Sequence, residues 1–156
     1  MRPEDGADVL DDTNRRLLTQ LQHDPRLTMS ALARLVGMSS PAVTERVQRM
    51  ERAGVIRGYR LDVDPAALGL PVTAWVRVRP GPAQLAKVAD LAAGLPNVSE
   101  CHRITGEDCF LIKLHAATIE SLTETLDKIL LYGQTVTSIV HSSPVPPRAL
   151  PVPGID

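Results

Sequence analysis

Between Thr28 and Arg60 the chain reads TMSALARLVGMSSPAVTERVQRMERAGVIRGYR, and this stretch constrains the fold more than any other. Behind Thr28, whose hydroxyl is placed to cap a helix, Ala31, Leu32, Leu35 and Val36 recur at helical spacing. Gly37 follows at once, where the chain must turn sharply with no side chain in the way. Ser39 then stands as N-cap of a second helix, with Pro41 in its first turn, where a missing N–H costs little. Val43, Val47 and Met50 make the buried stripe of that helix. Gly54 closes it, and Val55-Ile56 begin something extended. Ala33 is small where two crossing helices must approach. The layout is a helix-turn-helix, whose second helix is the one that enters a DNA major groove.

An ordinary helical hairpin with a solvated face is the competing explanation. Local charge argues against it. Residues 15–60 hold nine Arg against three acids (Asp24, Glu45, Glu51), whereas the whole chain carries a net charge of −1. A basic segment concentrated in a near-neutral protein suits phosphate binding. Ser39, Ser40, Thr44, Glu45, Gln48 and Arg49 lie away from the buried stripe and are expected to face the groove. Arg46 and Arg52 either touch phosphate or pair within the domain. The expected partner is double-stranded DNA.

A chain of 156 residues holds one medium domain or two small ones. No apolar run approaches bilayer length, and the acidic start MRPEDGADV lacks a signal-like apolar region, so a cytoplasmic protein with no membrane partner is expected. Two cysteines, Cys101 and Cys109, are too few for a disulfide framework. The Ala, Arg, Val and Pro bias, with only three Lys, points to a GC-rich bacterial genome.

In chain order, residues 1–9 read as disordered. A helix starts at Leu10-Asp11-Asp12, capped by Asp11, with Leu17, Leu18 and Leu21 as its apolar side, and His23-Asp24-Pro25 stops it. The helix-turn-helix domain then spans 10–56. Arg57 to Val63 alternates and reads as a linking strand within a hinge over 57–70. From Pro71 the pattern is mixed. Strands are expected at Pro71–Arg79, Val98–Thr105, Cys109–Ala116 and Thr135–His141, with helices at Ala83–Leu95 and Thr118–Tyr132. The order βαββαβ over 71–143 predicts an α+β, ferredoxin-like domain with both helices on one side of an antiparallel sheet. Phe110, Ile112 and Leu114 should meet the helices. Cys109, Leu111, Lys113 and His115 are left on the open face with Trp75. That face is half apolar, which predicts cover by a second subunit through Trp75 and Leu111. The tail from Pro144 has five prolines in thirteen residues and is expected to be extended.

This sequence resembles the Lrp/AsnC (leucine-responsive, feast/famine) family of transcriptional regulators. The residues that carry the likeness are LDDTNRRLL at 10–18, LARLVGMS at 32–39, AVTERVQRMERAGVIRGYR at 42–60, DPAALGLP at 64–71 and ITGEDCFLIKL at 104–114. The resemblance implies a homodimer that binds operator DNA, assembles further to tetramers or octamers, and responds to an amino acid or related small metabolite. It also implies an effector site near the loop between the second and third strands of the second domain. Here that is Thr105, Gly106, Glu107, Asp108 and Cys109. Apart from the resemblance, the hydroxyls of Thr135, Thr137 and Ser138 lie on the last strand of the same domain and are expected to complete the site across an inter-dimer contact. Two positions depart from the family pattern. Its loop resembles T-G-(D/E)-x-D, with the final acid helping to hold an ammonium group, and Cys109 stands at that place. Asn14 stands where the family often has Asp, a change expected to matter little.

No cofactor is expected. Cys101, His102, Cys109, His115 and His141 lack the close spacing of metal ligands and read as scattered strand residues. Cys109 as a thiol sensor is weaker than Cys109 as a half-buried filler. No phosphate loop, paired catalytic carboxylates or Ser/His/Asp arrangement stands out, so no enzyme is expected. An effector-responsive regulator leads. An effector-independent architectural DNA-binding protein is the alternative, and a metabolite-binding or enzymatic second domain comes third.

Overall fold

The structure, a computed structural model, describes residues 9–154. It divides into two compact units: the chain up to Leu61 together with the tail from Val145, and Asp62–Pro144.

The first unit is built on three helices, α1 (Asp12–His23), α2 (Met29–Val36) and α3 (Ser40–Arg52). Each has the N-cap its sequence calls for. Asp11 accepts from the Asn14 N–H, Thr28 from that of Ala31 and Ser39 from that of Ala42. Gly37 turns the chain between α2 and α3 in the left-handed conformation, φ +71°, which is why a residue without Cβ stands there. Leu17, Leu21, Leu32, Ala33, Val36, Val43, Val47 and Met50 form the core. Burying an aliphatic side chain of this kind is worth about 1.5–3 kcal/mol. A unit this small therefore needs all three helices.

Four expectations for this region are corrected. Leu35 is not part of the buried stripe: it is 53% exposed, and Ala33 takes the inward place beside Leu32 and Val36. Residues 1–8 of the expected disordered start lie outside the described residues, but Val9 is buried in the core, its carbonyl accepting a 2.6 Å hydrogen bond from the Asn14 side chain. Val55 and Ile56 do not begin a strand. Both their N–H groups donate to the Met50 carbonyl, and the side chains fold back on the helical core. Arg57–Val63 is not a strand, because no segment of the described residues pairs with it. The tail contains no helix or strand, yet it docks: the Gln22 side chain donates to the Leu150 carbonyl at 3.1 Å.

The second unit opens with a 3-10 turn at Pro65–Leu68, capped by Asp64 and ended by Gly69. It continues as β1 (Val72–Pro80), α4 (Leu85–Gly94), β2 (Val98–Arg103), β3 (Phe110–Ala116), α5 (Ile119–Leu130) and β4 (Gly133–Ile139). The strands form one antiparallel sheet in the order β2-β3-β1-β4, the ferredoxin-like arrangement expected from βαββαβ. Ala74, Val76 and Val78 of β1 and Phe110, Ile112, Leu114 and Ala116 of β3 face the helices. There they meet Val88 and Ala92 of α4 and Leu122 and Ile129 of α5. α4 starts two residues later than expected because Ala83 sits in the left-handed region at φ +59°, inside the turn made by Gly81 and Pro82. α5 begins with a capping box between Thr118 and Ser121. β3 begins at Phe110 rather than Cys109, whose N–H nonetheless donates to the Val78 carbonyl at 2.9 Å.

Candidate nucleic-acid interface and ligand site

α3 separates its residues cleanly. Val43, Val47 and Met50 are buried, while Ser39, Glu45, Gln48, Arg49 and Arg52 are exposed and Ser40 and Thr44 half-buried. Among the described residues the side chains of Glu45, Gln48, Arg49 and Arg52 make no ion pair or hydrogen bond, so their donors and acceptors are free for another molecule. Thr44 and Ser40 are partly engaged. The Thr44 hydroxyl donates to the Ser40 carbonyl at 2.9 Å, and the Ser40 hydroxyl lies 3.4 Å from that of Ser30.

Arg46 is different. Its Nη1 donates to Asp11 Oδ2 at 2.6 Å and to Asn14 Oδ1 at 3.0 Å, tying α3 to the start of α1. Of the two roles open to it from sequence, pairing within the domain is the one it occupies. The Arg46 hydrogen bond, with the Asn14 N–H behind it, holds the Asp11 carboxyl below its usual 3.8. Asn14 matters more than expected. It is 2% exposed and uses its amide in both senses, donating to Val9 and accepting from Arg46.

The loop after β2 carries Thr105, Gly106, Glu107, Asp108 and Cys109. Gly106 has φ +112°, and a Cβ placed there would meet nothing within 4 Å, so the backbone is open to approach from outside. Among the described residues none of the N–H groups of residues 105–108 has an acceptor in the chain. The loop acids, by contrast, lie beside arginines. Glu107 pairs with Arg79, and Asp108 lies 3.6 Å from Arg77 and 3.9 Å from Arg79. Sequence reading missed both arginines. The available signal was two like charges at period two near the end of a strand, with two opposite charges in a loop. Cys109 is half-buried and packs against the sheet–helix core.

β4 does not aim its three hydroxyls at one place. In the pairing with β1, Thr135 stands beside Val78 and Thr137 beside Val76, on the helix side, whereas Ser138 stands beside Trp75 on the open face. Thr135 is nearest the loop, since Val78 also pairs with Phe110 at the loop's end.

The open face carries Trp75, Leu111 and Val136 among charged neighbours. Lys113 holds its ammonium 5.6 Å from the Trp75 ring centre and donates to Glu100 at 3.0 Å. His115 is bracketed by hydroxyls, Thr73 at 3.0 Å from Nδ1 and Ser99 at 3.0 Å from Nε2. Partial burial, then the charge of Lys113, lowers its pKa below the usual 6.5, against a smaller opposing effect of Glu100. No group of His, Cys, Asp and Glu among the described residues is arranged to hold a metal.

The winged helix-turn-helix DNA-binding family matches residues 10–57, and the Lrp/AsnC ligand binding domain family matches residues 72–150. The chain belongs to the Lrp/AsnC family. It is 36% identical to the HTH-type transcriptional regulator LrpC of Bacillus subtilis over 85% of this chain and 92% of that protein. The solved structure of LrpC superposes with a TM-score of 0.81, covering 85% of this chain and 95% of that one. The crystal structure of the leucine response regulatory protein LrpA of Mycobacterium tuberculosis also superposes with a TM-score of 0.81, at 30% identity and covering 91% of this chain and 99% of that one. The leucine-responsive regulatory protein of Rhizobium meliloti is 34% identical over 83% of this chain and 85% of that protein. These Lrp/AsnC relatives are transcriptional regulators, not enzymes. Among the described residues no helix is long and apolar enough to cross a membrane.

Proposed function

We propose that this Lrp/AsnC protein is a cytoplasmic, sequence-selective regulator of transcription whose assembly and operator binding respond to an amino acid or related small metabolite. The observation that carries the DNA-binding part is α3: a fully buried stripe on one side and uncommitted Gln48, Arg49 and Arg52 on the other, in a segment with six surplus positive charges. The effector part rests on the ligand-domain family, on a relative named for its response to leucine, and on the open backbone at Gly106.

The open sheet face is proposed to be covered by a second copy of this chain. One face meeting itself about a two-fold axis would bury Trp75, Leu111 and Val136 and set two helix-turn-helix heads to read two half-sites. A ligand at the loop acts by favouring one assembly of such dimers over another, by as much as its affinity differs between them. Light scattering tests the assembly. Wild type is expected to be at least dimeric at micromolar concentration, and Trp75→Ala or Leu111→Glu to lower the mass. A monomeric wild type overturns it. An architectural protein that bridges DNA with no ligand is the rival, favoured by Cys109 at the acid's place. A thermal-shift screen, followed by operator binding with and without each hit, separates the two.

A further inference from the structure

Four charged side chains decide what the Thr105–Cys109 loop can accept. Arg77 and Arg79 leave β1 on the open face, and Glu107 and Asp108 reach them from the loop. The four charges sum to zero: Arg79 hydrogen-bonds Glu107, and Asp108 lies between the two guanidiniums without a hydrogen bond to either, so each acid already shares its field with an arginine. An incoming ammonium would have to share those carboxylates with guanidiniums already beside them, cation next to cation. Cys109 offers no alternative, because a thiol sulfur is a weak acceptor and this one is packed against the core.

The same loop is rich in unused donors. The N–H groups of residues 105–108 have no acceptor among the described residues, and Gly106 exposes the backbone between them. Arg77 and Arg79 are about half exposed. A guanidinium has five N–H groups, and the pairs to Glu107 and Asp108 leave several on each arginine for a second acceptor. The loop thus has more uncommitted donors than acceptors and suits an anion better than a cation.

We propose that the ligand of this loop is a small carboxylate that lacks an α-ammonium, of the 2-oxo acid class, rather than a free amino acid. This rests on the loop being the effector site, and it deepens that reading by naming the chemistry. The carboxylate sits on the loop N–H groups, and an adjacent carbonyl oxygen accepts from Arg79, which stands at the end of β1 beyond the Leu111–Arg77–Val136 row. An amino acid presents an ammonium in place of that carbonyl and sets it beside guanidiniums, a like-charge contact.

Calorimetric titration of the full chain with matched pairs tests this: L-alanine and pyruvate, L-leucine and 4-methyl-2-oxopentanoate, L-glutamate and 2-oxoglutarate. Within at least one pair the 2-oxo acid is expected to bind about tenfold or more tightly than the amino acid, the scale set by leaving a charged group without its partner. Gly106→Val is expected to abolish that binding and Arg79→Gln to weaken it. Cys109→Asp, which supplies an uncommitted acid, is expected to raise the affinity of the amino acid of the same pair. Amino-acid binding that exceeds 2-oxo acid binding and is lost in Gly106→Val overturns the ligand class while leaving the loop as the site. Binding of either class that Gly106→Val leaves unchanged overturns the loop itself. Failure of all three 2-oxo acids to bind overturns the proposal as well.

Discussion

Arg46, in the middle of the helix assigned to the DNA groove, points its guanidinium back at Asp11 and bonds it at 2.6 Å. The same nitrogen reaches Asn14 Oδ1, and Asn14 in turn holds the Val9 carbonyl. One side chain therefore ties α3 to the start of α1 and, through Asn14, to the chain entering it. The Asp11–Arg46 pair is half exposed, so its Coulombic share is worth at most about 1 kcal/mol. The larger share is the Asn14 oxygen, which is buried and loses the one donor it has among the described residues if Arg46 goes.

Arg46→Met is accordingly expected to destabilise the first unit by about 1–3 kcal/mol, the cost of a buried polar atom left unpaired. Asp11→Ala loses the cap of α1 as well as the pair and should cost about 1 kcal/mol or more. The Asp11 carboxyl titrates below 3.8 when folded, so its contribution is complete above that value and is lost as pH falls through the lower folded value. Urea melts at pH 7 and at pH 3 measure both. Equal stability of wild type and Arg46→Met at pH 7 contradicts this role.

Much of the helical unit is legible in its sequence. All three caps, the Gly37 turn and the alternation of β1 and β3 in the second unit are local signals, and the structure has them where the sequence puts them. The strand expected at Arg57–Val63 failed for a physical reason: alternation states which faces a segment presents, not whether a partner edge is available. Leu35 failed because apolar spacing on an eight-residue helix cannot tell the buried edge of a stripe from its exposed edge. The turn at Gly106 between β2 and β3 is a local signal too, but the charge state of that loop is not. The arginines that neutralise it lie about thirty residues earlier, and nothing short of the β1–β3 register brings them together.

Gly133 directly follows the helix expected at Thr118–Tyr132, but its tighter constraint is at the sheet. A Cβ on Gly133 would meet backbone atoms of Arg79 and Pro80, which cannot move without disturbing the β1–β4 pairing that ends there. Gly133→Ala is expected to cost on the order of 1–3 kcal/mol, as for an overpacked site. Gly94 provides the contrast. It ends α4 with nothing near its absent Cβ, so Gly94→Ala should be neutral or stabilising by about 0.5–1 kcal/mol. Denaturant midpoints of the two variants should move apart. If they move together, the close approach at Pro80 is not limiting.

His115 predicts a pH response. Its folded pKa lies below 6.5, so the folded state prefers the neutral ring. Between the two values the unfolded chain binds more protons, and stability rises with pH. The contribution is therefore complete above 6.5 and declines as pH falls through the lower folded value. The groups facing the ring are Thr73 on β1, Ser99 and Glu100 on β2, and Lys113 on β3. Both hydroxyls can still accept from a charged ring, so the loss comes from desolvation and Lys113 rather than from broken hydrogen bonds. It amounts to less than about 1.4 kcal/mol for each unit of separation, discounted for the ring's exposure. Thermal midpoints of wild type and His115→Gln between pH 7.5 and 5 check it. The wild type should lose the larger share on acidification, and parallel curves refute the assignment.

The last prediction separates base reading from phosphate contact on α3. Gln48 is exposed one turn along the outer face from Thr44, and a side-chain amide can donate and accept at once, the pattern that matches an adenine edge. Arg52 lies at the end of α3, exposed and without an acid partner among the described residues, where a guanidinium meets the DNA backbone more readily than the groove floor. Gln48→Ala should therefore change which operator sequences are preferred, by about 1–3 kcal/mol at the affected base pair, while leaving the salt dependence as it was. Arg52→Ala should weaken binding to all sequences alike. It should also reduce the slope of log K against log salt by about 0.9 for each phosphate that is no longer neutralised. Arg46→Met is a third arm, because Arg46 is held by Asp11 and Asn14 and should change the salt slope least of the three arginines on this helix. Competition binding against randomised operators, repeated at several salt concentrations, reads all three. A salt slope that falls with Gln48→Ala but not with Arg52→Ala reverses the docking of α3.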